Sequence, residues 1–234
     1  MRPLELSPRL AALAAQVPQG AKVADVGTDH AYLPTWLLLQ GRVRAAIASD
    51  VNDGPLDRGR ETARTYGVTE GIAFRRCDGL AGLAAGEADT VIIAGMGRDL
   101  IARILSAAPW TRQTCLLLQP MSAQEALRRW LVDHGYVIQQ ETLAEEGDKR
   151  YTILRATGGA STPYTPAELL AGRQQPGDVS PHRLAHLEDL LRRRRRALAG
   201  MARGKAPDPA ALARETALIE ELEQMREEWS QWQR

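Results

Sequence analysis

Through the first two-thirds of the chain, short apolar runs alternate with longer stretches whose apolar residues recur every three or four positions. The first such stretch follows Ser7-Pro8, a hydroxyl and a proline suited to the start of a helix. Leu10, Leu13, Ala14 and Val17 then form a stripe at helical spacing, which Pro18-Gln19-Gly20 ends. Residues 22–26 read as a short buried strand, and Gly27 to Asp29 as the turn at its carboxyl end. A helix carrying Trp36, Leu37, Leu38 and Leu39 follows, with Pro34 in its first turn. Further strands are expected at 43–49, 72–77, 90–94 and 115–118, separated by helices that begin at Gly54-Pro55, carry Leu100 to Leu105, and span about 122–134. Two final strands, 136–142 and 151–156, flank a hairpin-like turn at Gly147-Asp148-Lys149. Strands alternating with helices in this way predict an α/β fold, with a mostly parallel sheet and right-handed crossovers. The terminal hairpin makes the last strand antiparallel.

The pattern changes near residue 158. Gly158 to Pro166 is a linker rich in Gly, Ser, Thr and Pro, and Pro176 to Pro181 is a second break. Two long helical patterns follow. Leu184, Leu187, Leu191, Leu198 and Met201 form one seam, interrupted by Arg194, and Leu218, Leu222, Met225, Trp229 and Trp232 form the other. Joined through Gly200 to Pro209, they predict an antiparallel helical coiled-coil hairpin. The expected domains are therefore 1–158 and 159–234.

Composition narrows the class without naming a substrate. The chain has 234 residues, 44% hydrophobic and 25% charged, with a formal net charge of +1. Whole-chain charge gives no reason to expect nucleic acid, so any such footprint must come from local clustering. Cys77 and Cys115 lack a CxxC spacing, which points to buried reduced thiols, a cytoplasmic setting and no metal site. No apolar run reaches a membrane span, and the first residues lack a signal-peptide core.

The turn after the first strand carries the most chemistry. A pyrophosphate-binding turn needs several glycines, so that backbone N–H groups can meet the phosphates. Here Gly27 stands alone between Asp25 and Asp29, and two carboxylates would repel a pyrophosphate. They suit a cofactor with an amine, ribose hydroxyls and a sulfonium, which describes S-adenosylmethionine. The alternative is an ordinary glycine turn with an aspartate helix cap. Asp50, 25 residues beyond Asp25 at the end of the second strand, is placed to accept from ribose hydroxyls, or else to cap a helix. Asp78-Gly79 suits the exocyclic amine of an adenine, with glycine letting the ring approach, but also suits a plain turn. Ala94-Gly95-Met96-Gly97 ends the fourth strand, where a methyl acceptor would meet the cofactor; close helix–strand packing is the other reading. His30, beside Tyr32, is either a contact to cofactor or substrate, or a structural donor.

Arg192 to Arg196 cover more than one helical turn and cannot all be buried. With Arg183, Arg203 and Lys205 nearby they form either a phosphate-binding surface or a solvated face, the latter balanced by the acidic second helix.

The phrase 24–34, Ala-Asp-Val-Gly-Thr-Asp-His-Ala-Tyr-Leu-Pro, resembles the signature of the bacterial tRNA (adenine-N1)-methyltransferases that modify adenosine 22. Gly54-Pro55, Asp78-Gly79-Leu80, Ala94-Gly95-Met96-Gly97, Leu118-Gln119-Pro120 and Lys149-x-Tyr151 match in the same order. The resemblance covers residues 7–156 and is one of architecture beyond them. It implies a Rossmann-like class I methyltransferase with a seven-stranded sheet and a C-terminal coiled-coil domain, acting on tRNA with S-adenosylmethionine. Carried over by position, Asp25, Gly27, Asp29, His30, Asp50, Asp78, Gly79, Ala94, Gly95 and Met96 line the cofactor pocket. Two positions depart from the pattern: Arg98 replaces a second glycine after Gly97, and Met121 replaces the usual Asn after Gln119-Pro120. Arg98, Arg192, Arg193, Arg195 and Arg196 are the expected tRNA contacts, and Asp29 is the expected catalytic carboxylate, accepting from the adenine N6 amine. A soluble cytoplasmic monomer is expected. The competing functions are methylation of a small molecule or protein, and a non-catalytic RNA-binding module; the missing glycines disfavour an NAD enzyme.

Overall fold

The computed structural model describes residues 3–204 and 206–233, in two compact units that divide between Ser161 and Thr162. The first unit opens with α1 (Pro8–Gln16), β1 (Ala21–Val26), α2 (Tyr32–Leu39), β2 (Val43–Asp50) and α3 (Asp53–Tyr66). It continues through β3 (Ile72–Arg76), β4 (Thr90–Met96), α4 (Arg98–Ala107), β5 (Cys115–Pro120) and α5 (Gln124–Asp133). The hairpin β6 (Tyr136–Glu146) and β7 (Lys149–Gly158) closes it. The strands form one seven-stranded sheet of order β3-β2-β1-β4-β5-β7-β6. All pairs are parallel up to β5, and β7 is antiparallel to both β5 and β6. The expected Rossmann-like architecture, a seven-stranded and mostly parallel sheet, is therefore present.

The sequence reasons are direct. β4 begins Thr-Val-Ile-Ile, buried throughout, as a strand covered on both faces requires. Leu13, Ala14 and Val17 of the first helical segment pack with Leu33 and Leu37 of α2 against Ile92, Leu117 and Ile153. Ser7 sits at the N-cap of α1 but its hydroxyl makes no capping bond, so Pro8 at the first position defines that start. At the outer edge, Arg128 of α5 and Glu141 of β6 form a buried pair with N–O distances of 2.8–3.1 Å, and their side chains are 1% and 6% exposed. Cys77 and Cys115 are free but only half-buried, not enclosed as expected, because each lies at a strand end.

The second unit has a short helix that its linker-like composition concealed. In α6 (Pro166–Ala171), Thr165 and Glu168 form a reciprocal capping box. α7 (Arg183–Ala202) and α8 (Pro209–Trp232) make the hairpin. Its core joins Ala167 and Ala171 of α6 to Leu187, Leu191, Ile219, Leu222, Met225 and Trp229. The expected seam is corrected at its start: Leu184 is 39% exposed, and Arg183 is buried instead. Arg194 interrupts the seam and is met across the hairpin by Glu215 at 3.7 Å.

Candidate active site

Topology puts the crevice between β1 and β4, where neighbouring crossovers leave in opposite directions and the carboxyl ends of the strands open. The turn after β1 hangs from β2: Gly27 and Thr28 donate their N–H groups to the Ser49 carbonyl at 2.8 and 2.9 Å. Gly27 has φ +72°, and a Cβ there would overlap Met96 Cε. His30 and Ala31 are also left-handed, at φ 58° and 52°. The remaining non-glycine residue of this kind, among those described, is Ala123 at φ 54°, in the loop after β5. A left-handed backbone costs a non-glycine residue roughly 1–2 kcal/mol. All of this strain lies in loops at the carboxyl edge, as at many functional sites. No side chain caps α2, which removes the plain helix-cap reading of Asp29.

Asp25 is buried under this turn, its Oδ2 accepting from Thr28 Oγ1 at 2.7 Å. Burial pushes its pKa from 3.8 up to about 6, the threonine bond opposing part of the rise. At neutral pH this carboxylate is ionised at a cost that a cation beside it would offset. Asp50 ends β2 half-buried, with Oδ1 accepting from the Asn52 N–H at 2.8 Å. Asp29, with its side chain 74% exposed, sits at the rim. Its Oδ1 is 3.4 Å from Arg58 Nη2 and 3.5 Å from His30 Nε2. His30 stacks on Tyr32, with centroids 5.2 Å apart.

Asp78 is engaged. Arg103 of α4 grips it with bonds of 2.8 and 3.1 Å, and this charged pairing lowers the carboxyl pKa. Gly79 has φ +58°, and a Cβ there would come 2.8 Å from Ile104 Cγ1, so this glycine admits α4. Gly95, by contrast, faces open space and has φ +76°. Ala94 and Met96 flank it at the end of β4. Arg98 pairs with Asp99, while its buried Nε has no hydrogen-bond partner.

Sequence reasoning missed three residues at this edge. Gln119, fully buried, accepts from the Gly95 N–H at 3.1 Å and from Arg9 Nη1 at 3.0 Å. The Arg9 guanidinium lies 5.6 Å from the Tyr151 ring centroid. Gln119-Pro120 and Tyr151 stood within recognised phrases, but nothing local pointed to Arg9.

The second unit sorts its arginines by partner. Arg183 is buried and donates to the Ala171 and Gly172 carbonyls at the end of α6, so it does not belong to a phosphate-binding surface. Arg192 pairs with Asp189 and Arg195 with Glu223, each at 2.5 Å. Arg193 and Arg196 are exposed, one turn apart, and have no ion pair among the described residues. Lys205 lies outside the described residues. Among those described, no helix is long and apolar enough to cross a membrane, and no three metal-ligating side chains cluster.

Known proteins resemble this chain in sequence and fold. The sequence matches the methyltransferase domain family over residues 6–154. It is 40% identical, over 161 residues and 68% of each chain, to the tRNA (adenine(22)-N(1))-methyltransferase of Bacillus subtilis strain 168. Streptococcus pneumoniae Sp1610, assigned provisionally as a tRNA (m1A22) methyltransferase, is similar with a TM-score of 0.80 and 32% identity, over 93% of this chain and 99% of that one. Sp1610 in complex with S-adenosyl-L-methionine gives 0.78 at 32% identity, over 93% and 99%. The Bacillus subtilis m1A22 tRNA methyltransferase TrmK gives 0.76 at 30% identity, over 98% and 99%.

Proposed function

The chain belongs to the tRNA (adenine(22)-N1)-methyltransferase family, and from that membership we propose that it transfers a methyl group from S-adenosylmethionine to N1 of adenosine 22 in the D-arm region of tRNA. The observation that carries this reading is the single-glycine turn over the buried carboxylate of Asp25, beside a second acid, Asp50, at the end of the adjacent strand. This donor set fits a cationic, hydroxylated and phosphate-free cofactor. S-adenosylmethionine supplies an electrophilic methyl group on a sulfonium. Asp25 would hold the cationic methionine end, and Asp50 the ribose hydroxyls. Asp78 would accept from the adenine amine while Arg103 shares it. Gly27, His30, Gly79, Ala94, Gly95 and Met96 shape the walls.

The acceptor nitrogen has an in-plane lone pair, so no base has to remove a proton before attack. The protein's work is placement of the base and handling of the positive charge that develops on the ring. Asp29 is the proposed catalytic residue. Its Oδ1 is held by Arg58 and His30, and its Oδ2 accepts from the N6 amine, where that charge spreads. N1 lies on the Watson–Crick edge, so the base must leave its pairing or tertiary contacts. Arg98 beside the pocket, and Arg193 and Arg196 on the hairpin, take the tRNA backbone. Arg192 and Arg195 join them when they release Asp189 and Glu223. The enzyme is proposed to act as a cytoplasmic monomer, with residues 159–234 forming its helical domain.

The test is transfer of labelled methyl from S-adenosylmethionine to unmodified tRNA, followed by nucleoside analysis. The expected product is 1-methyladenosine. Cofactor binding without transfer to any tRNA rejects the substrate assignment.

A further inference from the structure

Gly95 interrupts the ladder between β4 and β5. Ala94 stands opposite Gln119 and Met96 opposite Pro120, so Gly95 bulges without a partner. Its N–H must be satisfied elsewhere. It goes to Gln119 Oε1 at 3.1 Å. The same oxygen accepts from Arg9 Nη1 at 3.0 Å, and Gln119 Nε2 donates to the Pro120 carbonyl at 3.1 Å. Partners on both halves of the amide fix its orientation.

Arg9 reaches this point from α1, over Tyr151 near the start of β7. Because β7 runs antiparallel to β5, its start lies at the carboxyl edge of the parallel strands, the edge at which the crevice between β1 and β4 opens. The polar contact of the Arg9 head is with a neutral amide. Glu146 meets its backbone N–H, at 3.3 Å, and among the described residues no carboxylate forms an ion pair with its guanidinium. The Arg9 charge helps to hold the nearby Glu146 carboxyl below its usual range, but a half-buried cation with no carboxylate at ion-pair distance, and with donors to spare, is arranged to receive an anion.

We propose that Arg9 binds the phosphate flanking the target adenosine, and that Gln119 couples this contact to the Gly95 bulge facing the transferred methyl group. The inference rests on the proposed tRNA substrate. Arg9 is thus a substrate-binding residue and Gln119 a positioning residue.

The test uses the full chain as wild type, Arg9→Gln, Arg9→Lys and Gln119→Leu. Cofactor Kd, kcat, KM for unmodified tRNA, and the salt dependence of tRNA affinity are measured for each. Arg9→Gln retains a donor toward Gln119 but loses the charge. It is expected to leave cofactor Kd within about twofold and to raise KM for tRNA about tenfold, the loss of one charge-assisted bond. The slope of log affinity against log salt should fall by about one, and Arg9→Lys should restore it. Gln119→Leu should lower kcat about tenfold or more while keeping the salt slope, a split that mere loss of folding would not produce. An unchanged slope and KM in Arg9→Gln overturn the phosphate assignment. Equal loss of cofactor binding in both Arg9 variants also overturns it, because Arg9 then only supports the fold. If the wild type itself modifies no tRNA, the functional reading falls and this inference with it.

Discussion

Asp25→Asn should make the cofactor-free protein more stable while crippling it. Burial raises the Asp25 pKa from 3.8 to about 6. Between those values the native chain retains a proton that the unfolded chain has released. Stability is therefore full below pH 4 and declines as pH rises to 6. Above pH 6 the ionised carboxylate costs about 3 kcal/mol, from two pKa units at about 1.4 kcal/mol each. Asparagine has the same shape, still accepts the 2.7 Å bond from Thr28 and carries no charge. Urea unfolding without cofactor should show Asp25→Asn stabilised by up to about 3 kcal/mol at pH 7.5 and hardly at all at pH 4. Calorimetry should show cofactor affinity at pH 7.5 reduced about 10- to 100-fold, the value of one hydrogen bond between charged groups. Wild-type affinity should fall as pH drops below 6, because binding must then displace a proton. Equal destabilisation of the variant at both pH values, or unchanged cofactor affinity, would refute the reasoning.

Gly27→Ala places a Cβ on Met96 Cε at a left-handed position, so it should lower the thermal midpoint and abolish cofactor-induced stabilisation in a melting assay. Glu141→Gln removes the negative charge that faces buried Arg128 and should cost about 3–5 kcal/mol in urea unfolding, without changing cofactor affinity per folded molecule. Arg193→Ala with Arg196→Ala should weaken tRNA binding and reduce its salt slope by about two, one for each phosphate contact, with cofactor Kd unchanged by calorimetry.

The centre of the sheet was legible because β1, β4 and β5 are short, mostly apolar runs that end at or beside Gly or Pro. Thr90 to Ala94 and Cys115 to Leu118 needed no tertiary information. The turn after β1 was legible because one glycine between two acids contradicts a pyrophosphate site whatever surrounds it. Contacts made at a distance were hidden. Arg103 lies 25 residues from the Asp78 it grips, and Arg9 lies 110 residues from Gln119. Neither pairing follows from spacing or propensity. α6 was hidden by its neighbours: Gly, Ser and Pro before Thr165 signal a linker, although Thr165 and Glu168 carry a capping box. Arg183 was misplaced because a charge near an arginine run suggests solvent, whereas its guanidinium finds the carbonyls that α6 leaves open at its end.

The most direct measurement of tRNA adenosine-22 methylation is primer extension on an unmodified tRNA transcript incubated with the protein and S-adenosylmethionine, alongside a transcript with guanosine at position 22. Methylation at N1 blocks the Watson–Crick edge and halts extension. The predicted result is a single stop immediately 3′ of position 22 in the first transcript and none in the second. A stop elsewhere, or one that persists in the guanosine transcript, would contradict the assignment of adenosine 22.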